Sequence, residues 1–109
     1  MIARVWRGAT SAEDADAYAA YVEDTGIASY RATPGNLGAF LLRRPEGERT
    51  EFVTLSFWTS LDAVRAFAGE DVAAAVFYGE DERYLVERDV RVVHFEVAAA
   101  EGWEPPGVR

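Results

Sequence analysis

The stretch that decides the fold is residues 50–69, "TEFVTLSFWTSLDAVRAFAG". Its first nine residues are rich in β-branched and aromatic side chains, which predicts a strand over residues 50–58. Thr59 and Ser60 provide a helix N-cap, and Asp62 follows in the first turn, where a negative charge is favourable. The helix then shows the buried stripe of Leu61, Val64, Phe67 and Ala68. The stretch therefore predicts one strand that leads directly into one helix.

The rest of the chain predicts further elements around this unit. Strands are expected at residues 2–7, 37–44 and 87–97, and helices at residues 11–24 and 70–78. The resulting order is βαββαβ. It predicts an α+β, ferredoxin-like fold, in which a four-stranded antiparallel sheet carries the helices on one face. We expect one domain over residues 1–98, followed by an irregular tail over residues 99–109.

Alternation divides the residues of the strand at 50–58 between two faces of the sheet. Val53, Leu55 and Phe57 form a purely apolar face, which we expect the helices to cover. The opposite face is mixed, and we expect it to stay open. Its large apolar members would be Ile2, Trp6, Phe52, Trp58 and Val92. An open face with this much apolar surface predicts a two-fold homodimer, in which two sheets pack together.

Composition narrows the classes of partner. The 109 residues carry a net charge of −8, and all eleven basic residues are arginine. This acidity argues against binding to nucleic acid or to an anionic membrane. No apolar run reaches the ~20 residues of a membrane span, and the first residues run straight into a strand. We therefore expect a cytoplasmic protein.

Metal and nucleotide sites are not indicated. The chain has no cysteine, which excludes disulfides, thiolate nucleophiles and cysteine metal ligands. It contains none of the glycine-rich motifs that bind nucleotide phosphates. Residues 80–82 are three consecutive acids, which we interpret as a solvated charge run because a calcium site needs more oxygen ligands at set spacings. We therefore expect no cofactor and no metal.

Four stretches together resemble the antibiotic biosynthesis monooxygenase (ABM) family of dimeric α+β barrel proteins. They are "IARVWRG" (2–8), "YRATPGN" (30–36), "FWTSLDAVRAFAG" (57–69) and "VVHFEV" (92–97), so the resemblance covers residues 1–97. It implies a superfamily that includes cofactor-independent oxygenases, which turn aromatic polyketide phenols into quinones. The same superfamily includes haem-degrading monooxygenases and polyketide cyclases. Fold alone does not choose among these activities.

The resemblance disfavours haem degradation. That branch uses an asparagine on the first strand, a tryptophan near the start of the second helix, and a histidine on the segment that follows. Trp58 matches the tryptophan. The first strand, however, has Trp6 and Arg7 where asparagine is wanted, and residues 60–78 contain no histidine. The axial ligand of a haem is therefore missing.

Two residues are candidates for acid–base chemistry. His94 is the only histidine, and it could remove the proton of a phenol as a general base. Alternatively, it is a strand residue that hydrogen-bonds to Thr54, Ser56 or a partner subunit. Alternation directs His94 away from the helix-covered face, which favours this second interpretation. Tyr78 is the other candidate, since it adjoins the polar loop at residues 79–83 and could donate its hydroxyl to a substrate.

The predicted substrate-binding residues are mainly aromatic. Trp58 either stacks on a planar aromatic substrate or closes the end of the core. Arg4 and Arg7 both lie on the first strand: one of them could stabilise a phenolate or superoxide-like anion, or they form an ion pair with Glu51 or Glu96. The remaining candidates for the cavity wall are Phe40, Phe67 and Tyr84.

Three functions follow from these residues and the resemblance. The first is a cofactor-independent monooxygenase that acts on a small planar aromatic molecule. The second is a small-molecule-binding or accessory dimer without catalytic activity. The third is a polyketide cyclase, which needs only a shaped cavity and one acid–base group.

Overall fold

The computed structural model describes residues 1–102, and its centre is a five-stranded antiparallel sheet. The strands are β1 (Ile2–Ser11), β2 (Asn36–Glu46), β3 (Arg49–Trp58), β4 (Leu85–Arg88) and β5 (Val93–Glu96). They are ordered β2-β3-β1-β4, and β5 also pairs with β1. The helices are α1 (Ala15–Val22), α2 (Ala28–Ala32), α3 (Leu61–Ala68) and the short α4 (Asp81–Tyr84). The predicted α+β, ferredoxin-like fold is confirmed.

The first helical region continues beyond the predicted end at residue 24. A 3₁₀ turn at Ala12–Asp14 leads into α1, and a π-turn at Glu23–Ile27 joins α1 to α2. Gly26 lies within this π-turn. The helix therefore widens for one turn at Gly26 and continues beyond it. Such π-turns occur frequently at functional sites.

The segment at residues 70–78 was predicted to be helical, and this prediction is wrong. The segment is irregular, with a turn at residues 72–73 and an isolated β-bridge between Ala74 and Arg91. The segment lies against residues 90–92: the Ala75 N–H donates to the Val90 carbonyl at 3.0 Å, and the Val92 N–H donates to the Ala73 carbonyl at 2.8 Å. These long-range hydrogen bonds replace those of a helix, so tertiary contacts outweigh the helix propensity of the alanines.

The same contacts divide the last predicted strand in two. Residues 87–97 were expected to be continuous, but β4 and β5 are separated at residues 89–92. Both strands pair with β1, at opposite ends of it. Between them, the Asp89 carbonyl accepts a hydrogen bond from the Trp6 indole N–H at 2.8 Å. The sheet consequently has five strands where four were predicted.

The helices cover the face opposite to the predicted one. Phe52 and Trp58 are completely buried under the helices, and strand register places Trp6 beside Thr54 on that same face. The two buried clusters pack Tyr18 and Val22 of α1 on Phe52, and Val64 of α3 on Trp58.

The uncovered side, which we call the open sheet face, therefore carries the purely apolar set. Its side chains come from β1, β2, β3 and β5, and several are about half exposed. They are Val5, Phe40, Leu42, Val53, Leu55, Phe57, Val93 and Phe95. An open apolar face exists as predicted, but it is built from the other alternating set.

A close approach at Gly35 holds the turn before β2 against α3. Gly35 has φ +90°, and its carbonyl accepts a hydrogen bond from the Thr59 N–H at 2.9 Å. A Cβ atom at this position would lie 2.5 Å from the Ala63 Cβ. The site therefore requires glycine both for its backbone angle and for space.

We expect Gly35→Ala to lower the free energy of unfolding by about 2–4 kcal/mol, since backbone strain and overpacking add. Urea unfolding measures this loss. Gly47→Ala is the matched control, because Gly47 also has positive φ but no atom lies within 4 Å of its added Cβ. We expect the control to lose only the strain contribution, about 1 kcal/mol. Equal losses in the two variants would contradict the role given to the Ala63 contact.

Candidate functional site

A cavity lies between the helices and the covered face of the sheet. The space that the centre of a water-sized sphere can reach inside it is about 40 Å³, which is below the usual range for small-molecule sites. The apolar wall consists of Trp6, Val22, Phe67, Val76, Phe77 and Val92. Gly26 also lines the cavity, from the π-turn, and the polar side chains at its wall include Arg4, Tyr30, Tyr78 and Asp81. The arrangement suits a largely apolar molecule with a few polar substituents.

Arg4 is the cation of this cavity. It projects from β1, is 2% exposed, and donates to the carbonyls of Val72 at 2.5 Å and Ala74 at 2.9 Å. Within residues 1–102 no carboxylate pairs with it. The predicted ion pair with Glu51 is made by Arg7 of the same strand and not by Arg4. Burial lowers the pKa of Arg4, but a guanidinium stays protonated in proteins. Its contacts with Val72, Ala74, His94 and Tyr30 engage most of its five N–H groups.

His94 lies beside Arg4, on the helix-covered side of the sheet. The prediction that it points away from the helices is wrong, because β5 pairs with β1 so that His94 opposes Arg4. The Arg4 Nη1 lies 3.0 Å from His94 Nε2. A guanidinium can only donate, so Nε2 accepts and the imidazole is neutral. Burial and the charge of Arg4 both lower the pKa of His94.

This contact changes what His94 can do. Its accepting nitrogen is occupied by Arg4, and His94 is not among the residues that line the cavity. The geometry is that of a residue that positions the guanidinium. A role as general base toward a substrate stays a prediction.

Trp58 is buried behind the cavity wall. Its indole N–H donates to the Ser56 hydroxyl at 2.9 Å, and its ring lies 5.6 Å from that of Phe67 and 5.9 Å from that of Tyr30. Both of these neighbours line the cavity, whereas Trp58 does not. Trp58 therefore supports the wall from behind, and direct stacking on a ligand stays a prediction.

Trp6 takes the wall position that was expected of Trp58. Its ring meets Phe77 edge to face, with 6.3 Å between the centroids. Gly8 leaves room for this ring, since a Cβ at that position would lie 2.5 Å from Trp6 Cη2. The residue pair that forms this part of the wall joins β1 to the 70–78 segment.

The other predicted site residues separate into two groups. Phe67 and Tyr78 line the cavity with Arg4, and burial raises the pKa of Tyr78. Tyr84 lies outside the cavity, where its ring packs 5.9 Å from Tyr18 and 5.8 Å from Tyr21. Phe40 is 48% exposed on the open sheet face. The structure therefore does not bring Tyr84 and Phe40 to the cavity.

Asp81 is a cavity residue that the sequence analysis missed. Glu80 and Glu82 are exposed as expected, but Asp81 is 5% exposed and lines the cavity. Its Oδ2 accepts the Tyr78 N–H at 2.6 Å, and burial raises the pKa of its carboxyl. The local sequence does not separate Asp81 from Glu80 and Glu82, since all three are acids of one polar stretch.

Residues 1–102 contain no group of three metal-ligating side chains placed to hold an ion. Their helices are all too short or too polar to cross a membrane.

The fold and the cavity together define a small α+β domain with a mainly apolar cavity between its helices and its sheet. Residues 1–77 match the family described as antibiotic biosynthesis monooxygenase, and the chain belongs to that family. The resemblance drawn from the sequence is thereby confirmed. The family includes monooxygenases and haem-degrading proteins.

Solved structures of similar fold include two of the haem degrader MhuD. One is MhuD from Mycobacterium tuberculosis with two haems in its active site, and the other is an arginine-to-serine variant with two manganese protoporphyrin IX molecules per active site. In each case the identity is 22%, the TM-score is 0.59, and the match covers 94% of this chain and 100% of the other. This likeness shows the fold. No curated protein sequence matches the chain significantly.

Proposed function

We propose that this protein binds a small planar phenol in its cavity and oxidises it with O₂ without a cofactor. The observation that carries the proposal is the buried Arg4 guanidinium, which has no acid partner in the described residues and lines an aromatic-walled cavity. A buried cation of this kind favours a ligand that is anionic or becomes anionic during reaction. Family membership is consistent with this chemistry.

The reaction balances without any other reagent. A phenol with hydrogen at the ring carbon to be oxidised reacts with one O₂ to give a quinone and one water. The substrate loses its hydroxyl proton and that ring hydrogen, and it supplies the electrons that reduce O₂. The protein orients the ring between its apolar walls, excludes water, and stabilises the phenolate or superoxide-like anion through Arg4.

Haem does not fit the residues of this cavity, even though MhuD binds it. The only histidine is His94, whose Nε2 is occupied by Arg4. Asp81 lines the cavity and would face an acidic ligand with a second negative charge when ionised. Haem degradation therefore remains disfavoured for this chain.

A binding role without catalysis is the second candidate. It is favoured by the same geometry, because the contacts of Arg4 and His94 with each other and with backbone carbonyls are those of a structural network. A protein of this kind would bind a phenol tightly and consume no O₂. A cyclase would act equally well without O₂.

We expect tryptophan fluorescence to report binding from a panel of planar phenols, and O₂ uptake to follow with at least one of them. Trp6→Phe should lose the fluorescence response, since Trp6 lines the cavity. Trp58→Phe is the matched control and should retain it, because Trp58 lies behind the wall. Haem should give no shifted Soret band. Binding without O₂ uptake would overturn the oxygenase reaction in favour of the binding role. Loss of the fluorescence response in Trp58→Phe but not in Trp6→Phe would favour direct stacking of the ligand on Trp58.

We also propose that the protein is a homodimer formed through the open sheet face. That face exposes Phe40, Leu42, Val93 and Phe95, which are between 46% and 56% exposed. Contiguous apolar surface of this kind marks an interaction site. A second copy provides a complementary partner, since a two-fold axis brings identical apolar faces together. Arg7, which pairs with Glu51 and Glu87 at one edge of the face, supplies a polar rim.

A further inference from the structure

The cavity wall contains one carboxylate among the described residues, and it is Asp81. Asp81 stands at the first residue of α4 and is 5% exposed. Its Oδ2 is held by the Tyr78 N–H at 2.6 Å. Its Oδ1 makes no hydrogen bond within the described residues. One oxygen is therefore fixed by the backbone, and the other is free to accept a proton or a hydrogen bond from a ligand.

The charged and titratable groups around Asp81 leave it without a strong partner. Tyr18 faces it from α1, Tyr78 from the 70–78 segment, and Arg88 from β4. Arg88 is engaged elsewhere, since its guanidinium lies 4.8 Å above the Phe77 ring and 3.3 Å from a Glu82 carboxylate oxygen. Arg4 lines the same cavity but forms no ion pair with Asp81. The cavity thus presents a cation and a carboxylate that do not neutralise each other.

We propose that Asp81 receives the substrate hydroxyl on Oδ1 and accepts its proton. This inference rests on the proposed function and assigns its substrate class, an aromatic molecule with a free hydroxyl group at the Asp81 side of the cavity. The O–H bond breaks and its proton forms the carboxylic acid of Asp81. The electron pair stays on the phenolate, which reduces O₂, and the proton leaves with the water formed. Asp81 is then a carboxylate again.

The surroundings of Asp81 suit this task. Burial raises the pKa of its carboxyl above the usual 3.8, which makes its ionised form a stronger base than an exposed aspartate. The base must be ionised to work, so activity is present above this pKa and is lost as pH falls through it. The loss therefore begins at higher pH than it would for an exposed aspartate.

Asp81→Asn tests the inference with minimal change of shape, because the amide oxygen can still accept the Tyr78 N–H. We expect kcat/KM for phenol oxidation to fall about a hundredfold, and the acidic limb of the pH profile to disappear. Glu82→Gln is the control, since Glu82 lies in the same helix turn and is exposed. It should leave both unchanged. Urea unfolding of each variant verifies that the fold is retained.

A binding measurement tests the same inference independently of turnover. Wild-type protein should bind a phenol roughly tenfold more tightly than its methyl ether, because hydrogen bonds to charged acceptors are the stronger ones. Asp81→Asn should lose most of this preference while binding the ether normally. Unchanged kinetics and unchanged preference in Asp81→Asn would overturn the role of Asp81. Intact preference for phenols in wild type without O₂ uptake would overturn only the oxygenase reaction, and no phenol binding at all would overturn both.

Discussion

Replacing Leu55 with arginine is expected to convert the proposed dimer into monomers, with association weakened about a thousandfold. Leu55 lies on the open sheet face between Val5 of β1 and Phe40 of β2. A two-fold interface contains each substitution twice. Each unpaired charge placed in an apolar interface costs at least about 2 kcal/mol, so the two copies remove about 4 kcal/mol, which is roughly a thousandfold in the dissociation constant.

Sedimentation velocity over a wide concentration range measures this effect. Leu61→Arg is the matched control, since Leu61 is 39% exposed but begins α3 on the other side of the sheet. We expect Leu61→Arg to remain dimeric. Dissociation by Leu61→Arg with none by Leu55→Arg would place the interface elsewhere, and a wild type that is monomeric at all concentrations would refute the dimer.

Replacing Arg4 with leucine is expected to lower the free energy of unfolding by about 3 kcal/mol. The guanidinium satisfies the carbonyls of Val72 and Ala74 and the Nε2 of His94. A buried acceptor that loses its donor costs about 1–3 kcal/mol. Removal of a buried cation, which is unfavourable to desolvate, offsets part of this sum. Arg4 connects the 70–78 segment to β1. We therefore expect this segment to open before the rest of the protein unfolds.

Urea unfolding gives the global effect of Arg4→Leu, and hydrogen exchange gives the local one. The Ala75 and Val92 amides, which pair the 70–78 segment with residues 90–92, should exchange faster in this variant. Arg91→Leu is the control: Arg91 also contacts this segment, through Asp71 at 2.6 Å, but at an exposed position. It should lose far less stability. Equal losses of unfolding free energy in the two variants would contradict the larger contribution assigned to the buried contacts of Arg4.

The first three strands and the helix after Trp58 could be predicted from the sequence because their signals are local. Ser60 is an example: its side chain accepts from the Ala63 N–H, as the cap pattern predicted for the helix after Trp58. The turn with Pro34 and Gly35 is a second example, since both residues restrict or permit particular backbone angles. Signals of this kind act within a few residues, so a single sequence displays them.

The faces of the sheet could not be assigned in the same way. Alternation separates Val53, Leu55 and Phe57 from Phe52, Thr54 and Trp58, but it does not say which set meets the helices. The more apolar set is the open one. The covered set includes polar side chains: Thr54 and Arg4 line the cavity, and Ser56 accepts a hydrogen bond from the Trp58 indole. Average polarity therefore assigned the helices to the wrong face of the sheet. The orientation predicted for His94 was wrong for the same reason.

The 70–78 segment and Asp81 show a second limit. The alanines of this segment favour a helix locally, but distant partners determine its conformation: Arg4 from β1, and residues 90–92. Asp81 is buried by the same arrangement, since it follows that segment and closes the cavity. Such positions depend on long-range contacts that neither propensity nor charge patterning encodes.

The π-turn between α1 and α2 forms part of the cavity wall at Gly26. Gly26 has a helical backbone there, and an added Cβ would lie 3.7 Å from Val22 Cγ1 and 3.9 Å from Tyr78 Cε2, which is ordinary contact. Any larger side chain at this position would grow into the space between α1 and Tyr78. In the proposed site, the side chain at position 26 would therefore limit the size of the ligand without any change to the sheet.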